Sequence, residues 1–330
     1  MKNIIKNFKQ FNGQHCETTA TGSLLNQIGI EFSEPMLFGL GEGLGFIFWN
    51  MKIMDFPFIG GRIKPDVLTK NIVRNLNLKL EVQATSSVEK AWGNVKNNID
   101  MGIAVGLKLD SYYLDYFTTK IHFAGHYVGM YGYDEPIAYL IDTNQQGGKV
   151  KTSLSSLELA RNAKGAMSSK NLSYKIQDLK KGYDLKKAII VAIKNNAKDY
   201  LYPPITNIGY KGILKTSEEI KKWFKNTKNI QGDFKTTAML MEKAGTGGAL
   251  FRNFYRDFLK ESYGLLKIEK LNEAHKMFSE IAILWTRAST LFDKAGETEK
   301  IEYINQASEI LVDLSEKERK VVEFLAGIAA

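Results

Sequence analysis

The hydrophobic and polar positions of this 330-residue chain follow two different periods in its two halves. Between Gly102 and Gly147, turn residues separate short runs of aromatic and β-branched residues, which is typical of antiparallel strands. From about Asp184 onward, apolar residues recur every three or four positions, as on one face of a helix. The first pattern predicts strands over residues 103–109, 112–117, 127–131 and 138–141. The second predicts helices over residues 185–196, 216–226, 251–263, 269–292 and 301–311.

Local signals add two helices in the N-terminal half and mark helix starts in the C-terminal half. Residues 16–26 suit a helix that ends near Gly29, and residues 86–100 predict an amphipathic helix. Thr216-x-x-Glu219 and Ser315-x-x-Glu318 have the spacing of capping boxes, in which the first side chain caps a helix N-terminus. We therefore expect helices to begin at these two positions.

These elements predict an α+β fold with two domains. Residues 1–150 form a domain with the N-terminal helix and the sheet, and residues 184–330 form an all-helical domain. Residues 151–183 are the segment that connects the two domains. Tyr202-Pro203-Pro204 and Gly245-Thr246-Gly247-Gly248 are expected to separate its helices. Two domains fit the length, because single hydrophobic cores stop growing near about 250–300 residues.

Composition and charge narrow the classes of protein and partner. Apolar residues make up 44% of the chain and charged residues 25%, which is ordinary for a soluble globular protein. The formal charge of +9 favours an acidic partner. Motifs of nucleic-acid-binding folds, a signal peptide and a membrane-spanning run of ~20 apolar residues are all missing from the sequence. We therefore expect a cytoplasmic protein that binds neither nucleic acid nor a membrane.

Four glycines alternate with other residues between Gly39 and Gly45. Their spacing is not that of a dinucleotide-binding loop, and the lysine of a P-loop is missing. No nucleotide cofactor is therefore expected. Glycines at this spacing let the backbone approach a neighbouring strand or a ligand closely, which makes Gly41 and Gly43 candidate substrate contacts.

Cys16 is the only cysteine of the chain, and it lies at the start of the first predicted helix. A lone cysteine excludes an intramolecular disulfide and a zinc site built from cysteine pairs, so neither is expected. A helix N-terminus stabilises the reactive thiolate through the helix dipole and unpaired N–H groups. Cys16 is therefore a candidate nucleophile; the alternative is a small buried apolar residue, a common role of free cysteine.

His126 and Asp142 form the second part of a candidate catalytic group. His126 opens one strand of a predicted hairpin and Asp142 ends the other, with Asp134 midway between them. Residues equidistant from a hairpin turn face each other at about 5 Å between Cβ atoms, and a turn shifted by one residue makes the pair diagonal instead. A carboxylate there holds one imidazole nitrogen and leaves the other free to act as a base.

A cysteine on a helix, then a histidine on a strand and then an aspartate is a chain order that resembles that of papain-like enzymes. The amino-acid sequence of the hairpin resembles that of the bacteriocin-processing cysteine peptidases of ABC exporters. A closer resemblance is to the N-terminal domain of butirosin biosynthesis protein H and the domain of unknown function that accompanies it. It rests on residues 15–19 (HCETT), 37–46 (LFGLGEGLGF), 110–114 (DSYYL), 126–142 and 245–252 (GTGGALFR).

This resemblance implies a papain-like fold and an acyltransferase without a cofactor or a metal. Such an enzyme takes an acyl or peptidyl group from the phosphopantetheine thioester of an acidic carrier protein. It delivers the group to a small amine, an aminoglycoside or a diamine, and forms an amide in natural-product biosynthesis. Two alternatives remain: a cysteine peptidase or amidase with the same residues, and a non-catalytic binding protein.

The resemblance also implies roles for individual residues. Cys16 attacks the thioester, His126 deprotonates the amine and Asp142 orients His126. Papain-like enzymes use a glutamine six residues ahead of the cysteine for the oxyanion, a spacing that Gln10 matches, whereas Gln14 is nearer in sequence.

Four further residues are candidate substrate contacts, each with a structural alternative. His15 is expected to shape the oxyanion pocket or to lie in the core. Glu17 and Asp110 are candidates for binding a cationic amine, although a glutamate in the first turn also stabilises a helix without any ligand. Tyr112 is the fourth candidate, with sheet or core packing as its alternative.

Overall fold

The computed structural model describes residues 2–51, 54–165, 167–180 and 182–329. The chain forms two compact units. The sheet unit comprises Met1–Leu37 and Pro65–Tyr183, and the helical unit comprises Phe38–Lys64 and Asp184–Ala330. This division differs from the predicted boundaries, because residues 38–64 belong with the C-terminal helices and residues 151–183 belong to the sheet unit.

Antiparallel strands lie among residues 105–141 and helices follow from Leu185, as the two sequence periods indicate in outline, which confirms the α+β class. In chain order the strands are β1 (Asn3–Ile4), β2 (Leu44–Trp49), β3 (Phe58–Arg62), β4 (Lys79–Gln83), β5 (Val105–Leu109), β6 (His126–Asp134), β7 (Ile137–Ile141), β8 (Lys149–Ser153) and β9 (Ser173–Gln177). The helices are α1 (Cys16–Gln27), α2 (Glu34–Leu40), α3 (Val67–Asn75), α4 (Val88–Asp100), α5 (Leu154–Asn162), α6 (Leu185–Leu201), α7 (Gly209–Asn226), α8 (Ile230–Lys243), α9 (Arg252–Leu266), α10 (Glu269–Thr298) and α11 (Ile301–Ala326).

The sheet unit is built on an antiparallel sheet with strand order β4-β9-β5-β6-β7-β8, and β1 pairs with the end of β6. Strand β9 pairs with both β4 and β5, and its Tyr174 and Ile176 are buried. The segment after residue 150 therefore completes the sheet rather than linking two domains.

Helix α1 packs against β6 and is buried along most of its length, from Glu17 to Leu25. Its buried hydroxyls have hydrogen-bond partners: Thr19 Oγ1 donates to the carbonyl of His15 (2.8 Å) and Ser23 Oγ to that of Thr19 (2.9 Å), while Thr21 Oγ1 lies 2.8 Å from Thr69 Oγ1. Polar side chains paired in this way are tolerated in a core. They also explain why α1 lacks a one-sided apolar pattern.

The predicted strand over residues 112–117 is wrong. Residues 111–113 form a 3₁₀ turn, and the carboxylate of Asp110 accepts a hydrogen bond from the backbone N–H of Tyr112 (3.1 Å). Aspartate favours turns because it can bond the backbone two residues further on. That local hydrogen bond outweighs the strand preference of the tyrosines that follow.

The helical unit contains the hairpin β2–β3 and helices α6–α11. Both predicted capping boxes are wrong, since Thr216 lies inside α7 and Ser315 inside α11. The Thr216 hydroxyl donates to the carbonyl of Gly212 (2.7 Å), and that of Ser315 to the carbonyl of Tyr210 (2.7 Å). Helix α8 was not predicted. None of the helices in the described part of the chain has the length and hydropathy needed to cross a membrane.

A left-handed turn joins α8 to α9. All residues from Gly247 to Phe251 have positive φ, between 48° and 80°. The left-handed backbone conformation costs each non-glycine residue about 1–2 kcal/mol. Arg252 supports the turn, because its Nη1 donates to the carbonyls of Leu250 (2.8 Å) and Gly61 (3.0 Å). The predicted break at Gly245–Gly248 therefore lies beside a buried arginine that holds the backbone in place.

Candidate active site

Cys16 is the first residue of α1, directly after His15 at the N-cap position. It is partly exposed, whereas the residues that follow it from Glu17 to Leu25 are buried. The first N–H groups of a helix have no acceptor within the helix, and the helix dipole is positive there. The structure thus places an accessible thiol where a thiolate is stabilised.

Glu34 holds the backbone that leads into Cys16, a role that the sequence did not indicate. Its carboxylate accepts hydrogen bonds from the backbone N–H groups of Gln14 (2.9 Å) and His15 (2.9 Å) and from the Thr18 hydroxyl (2.6 Å). Burial raises the pKa of Glu34, and these three donors oppose the rise. A nearly buried carboxylate, 18 residues after Cys16 in sequence, therefore fixes the backbone just ahead of α1.

His126 and Asp142 are in direct contact. His126 Nε2 lies 2.7 Å from Asp142 Oδ2, and both side chains are almost fully buried. The strand register differs from the predicted one: Gly129 pairs with Ile141, which places Asp142 two positions from the point opposite His126. The turn lies at residues 135–136, beyond the predicted midpoint at Asp134, and a bulge between Met130 and Gly132 offsets one residue of that displacement. The contact forms along a diagonal instead of directly across the ladder.

Cys16 lies close enough to His126 to interact with its ring. Burial alone would lower the pKa of His126, but the Asp142 carboxylate and, to a lesser extent, Cys16 raise it to about 10. Because Asp142 bonds Nε2, the ring nitrogen left for the thiol is Nδ1. The arrangement favours the imidazolium form of His126 beside the Asp142 carboxylate.

Tyr116 and Phe117 complete the surroundings of the His126–Asp142 pair. The Tyr116 hydroxyl donates to Asp142 Oδ2 (2.8 Å), and the ring of Phe117 meets the His126 ring edge to face at 5.3 Å. The sequence pattern places Tyr116 in the predicted strand over residues 112–117. No sequence signal singled out Tyr116, because its contact with Asp142 depends on the path of the loop between β5 and β6.

The oxyanion candidates lie in different surroundings. Gln10 Nε2 would lie 3.6 Å from a Cβ added at Gly148, and the Gly148 carbonyl accepts a hydrogen bond from the backbone N–H of Asp142 (2.9 Å). The Gln14 side chain is exposed. His15 is buried, with Nδ1 3.4 Å from the Thr18 hydroxyl. Gln10 is therefore close to the loop that holds Asp142.

Three candidate substrate contacts have structural partners. Glu17 is fully buried, and its carboxylate accepts hydrogen bonds from the backbone and hydroxyl of Thr69 at the start of α3 (both 3.1 Å). Asp110 is buried and accepts from the backbone N–H of Phe123 (2.8 Å), with His122 Nδ1 at 2.9 Å. The ring of Tyr112 stacks on that of His122 at 3.9 Å. Glu17 thus joins two helices, and Asp110 and Tyr112 organise the loop between β5 and β6.

Gly41 and Gly43 belong to the helical unit, whereas Cys16, His126 and Asp142 belong to the sheet unit. A Cβ at Gly43 would meet the Phe38 ring at 2.6 Å, and one at Gly45 would meet the backbone of Arg62 at 2.7 Å. The glycines of this segment thus permit close packing within the helical unit, including the predicted approach to a neighbouring strand. Across residues 2–51, 54–165, 167–180 and 182–329, no group of three His, Cys, Asp or Glu side chains is arranged to hold a metal ion.

Comparison with known families gives two matches along the chain. Residues 15–143 match the family described as butirosin biosynthesis protein H, N-terminal. Residues 155–325 match the family described as domain of unknown function DUF4872. Among curated proteins, none matches the chain. The first match includes Cys16, His126 and Asp142, and the second covers α5, β9 and the C-terminal helices up to Leu325.

Proposed function

Because the chain belongs to the family whose members carry the N-terminal domain of butirosin biosynthesis protein H, here followed by a DUF4872 domain, we propose that it is a cysteine-dependent acyltransferase. The N-terminal domain is one of biosynthetic enzymes. In our proposal, Cys16 takes an acyl or peptidyl group from a thioester and passes it to an amine. The sheet unit would then have a papain-like arrangement of catalytic residues.

One observation carries this proposal. His126 interacts with both the Cys16 thiol and the Asp142 carboxylate, and its Nε2 is 2.7 Å from Asp142 Oδ2. A nucleophile, a base and a group that orients the base are the parts that covalent acyl transfer requires. Cys16 also has the partial exposure that a substrate needs to reach it.

In the first half of the reaction, the Cys16 thiolate attacks the carbonyl carbon of the thioester. A new carbon–sulfur bond forms to Cys16, the original carbon–sulfur bond breaks, and the departing thiolate takes the proton of the His126 imidazolium. The Cys16 N–H, at the first turn of α1, is available to the oxyanion. Gln10, beside the Asp142 loop, is the side chain that we propose as a second donor, with Gln14 as the alternative.

In the second half, acylation has removed the negative charge of Cys16. Since that charge helps to raise the pKa of His126, the imidazole becomes easier to deprotonate in the acyl-enzyme. Neutral His126 then takes a proton from the attacking amine. The amide bond forms, Cys16 leaves as a thiolate, and the imidazolium–thiolate pair is restored.

The proposed donor is an acidic carrier protein that bears a phosphopantetheine thioester, and the proposed acceptor is a small amine such as an aminoglycoside or a diamine. The formal charge of +9 supports an acidic partner, because complementary charge speeds encounter. Glu17 and Asp110 are engaged by protein donors, so the binding of a cationic amine is proposed for neither.

Product analysis separates transfer from hydrolysis. Pantetheine thioesters with a range of acyl chains would be incubated with the protein and with an aminoglycoside or a diamine, and the products identified by mass spectrometry. We expect the amide from the wild type and none from Cys16→Ala or His126→Ala. His275→Ala, in helix α10 of the helical unit, is the matched control and should retain activity. Free acid without amide would make the protein a hydrolase. The absence of both amide and free acid would contradict an enzymatic role.

A further inference from the structure

The Asp142 carboxylate has three donors, and two of them share one oxygen. Oδ2 is 2.7 Å from His126 Nε2 and accepts the Tyr116 hydroxyl at 2.8 Å, while Oδ1 accepts the backbone N–H of Thr143 at 2.6 Å. The carboxylate is only 1% exposed, so these protein donors replace water around its charge. Hydrogen bonds to a buried carboxylate both fix its orientation and stabilise its negative charge.

Tyr116 is held in this position by its neighbour Asp115. The Asp115 carboxylate accepts hydrogen bonds from the backbone N–H of Ser153 (2.7 Å) and from the hydroxyls of Thr152 (2.9 Å) and Ser156 (2.6 Å), at the junction of β8 and α5. Burial alone would raise the pKa of Asp115, but these donors hold it at about 2. Asp115 is therefore charged at neutral pH and fastens the loop beside Asp142.

Tyr116 has a polar role that Phe117 does not share. Both residues lie beside the His126–Asp142 pair, but Phe117 contacts the imidazole through its ring, whereas Tyr116 reaches the carboxylate through its hydroxyl. Burial, followed by the charge of Asp142, raises the pKa of Tyr116 well above its usual value, so the hydroxyl keeps its proton and acts as a donor.

We propose that Tyr116 is a positioning residue of this site, whose hydroxyl orients the Asp142 carboxylate and takes up part of its charge, so that it limits how tightly His126 holds its proton. The inference rests on the proposed function, in which His126 must give up a proton in one step and accept one in the next. A carboxylate bonded only by His126 through Oδ2 would hold the imidazolium more firmly, which opposes the proton transfer of the second step.

Tyr116→Phe removes the hydroxyl and keeps the ring. With one donor fewer, Asp142 acts more strongly on the imidazole, so we expect the pKa of His126 to rise by about half a unit to one unit. 3-Fluorotyrosine at position 116 is a more acidic donor and should shift this pKa in the opposite direction. Tyr139→Phe is the matched control, because the Tyr139 hydroxyl donates to Asp134 (2.7 Å), a different carboxylate of the same sheet.

The measurement is a pH titration of the protein by NMR with nitrogen-labelled histidine, which gives signals for only four residues. An unchanged or lowered His126 pKa in Tyr116→Phe would overturn the inference, as would an equal shift in Tyr139→Phe. The fluorinated protein keeps the test decisive if Tyr116→Phe fails to fold. The titration needs no substrate, so a failure of acyl transfer and a failure of this inference are separate results.

Discussion

His126 interacts with two groups that carry negative charge when ionised, and these interactions govern the chemistry expected of the site. Asp142 contacts Nε2 directly, and Cys16 is near enough to contribute to raising the pKa of the ring. The pKa of about 10 means that the imidazolium persists well above the usual value of 6.5. In the proposed reaction, an imidazolium at neutral pH is the partner that supports a thiolate when it attacks a thioester.

Replacement of Asp142 should weaken this ion pair. Asp142→Asn removes the carboxylate that contributes most to raising the pKa of His126, so less imidazolium is present to support the thiolate at neutral pH. The rate of alkylation of Cys16 by iodoacetamide should stay high in the wild type between about pH 6.5 and 9, and in Asp142→Asn it should fall below the usual thiol pKa of about 8.5. Intact-mass spectrometry follows this reaction cleanly because Cys16 is the only cysteine.

Asp134→Asn is the control for that experiment, since Asp134 lies at the hairpin turn and bonds Tyr139. Its alkylation profile should match that of the wild type. Equal profiles for Asp142→Asn and the wild type would show that Asp142 does not support a thiolate.

Glu34 should contribute to stability through the start of α1. Glu34→Gln keeps the size but replaces a charged acceptor of three hydrogen bonds with a neutral amide. We expect a loss of about 1–3 kcal/mol in the free energy of unfolding, measured in urea. Glu31→Gln, which affects an exposed ion pair with Lys9, should change stability little, and an equal loss in both variants would contradict this role.

The site residues differed in how far the sequence could indicate them. Cys16, His126 and Asp142 stand out because a lone thiol at a helix start and a hairpin with histidine and aspartate at its ends are local patterns. The roles of Glu34 and Tyr116 depend on how distant segments meet, and one sequence does not carry that information. The diagonal contact of His126 with Asp142 likewise depends on a bulge that the sequence did not predict.

Among the secondary-structure elements, periodicity predicted most helices of the C-terminal half, but the two capping-box motifs predicted helix starts at positions inside helices. Glu318, the last residue of one such motif, is fully buried. Its carboxylate accepts from Arg252 Nε and Nη2 (both 2.8 Å) and from Trp285 Nε1 (2.6 Å). The sequence has the spacing of a capping box, but Glu318 pairs with residues of other helices and does not lie at a helix start.

The Arg252–Glu318 pair should be sensitive to the loss of one partner. Arg252→Met leaves the Glu318 charge buried and removes the support of the left-handed turn, so we expect a loss of about 3–5 kcal/mol in unfolding free energy. The double variant Arg252→Met/Glu318→Met should lose less than the single one, because no charge remains unpaired.

Urea unfolding measures both variants, with Arg319→Met as the control on the surface of α11. Arg319 pairs with Glu323 at 2.9 Å, and both side chains are partly exposed, so its loss should cost little. A cost for Arg252→Met no larger than that for Arg319→Met would contradict the stabilising role of the buried pair.

At the scale of the whole molecule, the two units are interleaved along the chain. Residues 38–64 lie between two segments of the sheet unit but pack in the helical unit, where Phe46 contacts Trp285 with ring centroids 5.6 Å apart. The sequence suggested a cut near residue 150 because the periodicity changes there. The actual division depends on contacts between distant segments, which periodicity does not report.

Truncation tests this interleaving. A fragment of residues 1–183 contains β2 and β3 without the helices that bury them, so we expect it to aggregate on expression. Replacement of the buried Phe46 and Phe48 by lysine in that fragment should improve its solubility, measured by size-exclusion chromatography. A soluble, cooperatively unfolding fragment with both phenylalanines intact would contradict this organisation.

Intact-mass spectrometry after incubation with acyl thioesters shows whether Cys16 accepts an acyl group. We expect one acyl adduct per chain on the wild type, none on Cys16→Ala, and loss of the adduct when an amine is added. A folded wild-type protein that gains no mass with any thioester, or a Cys16→Ala variant that gains the same mass, would contradict this expectation.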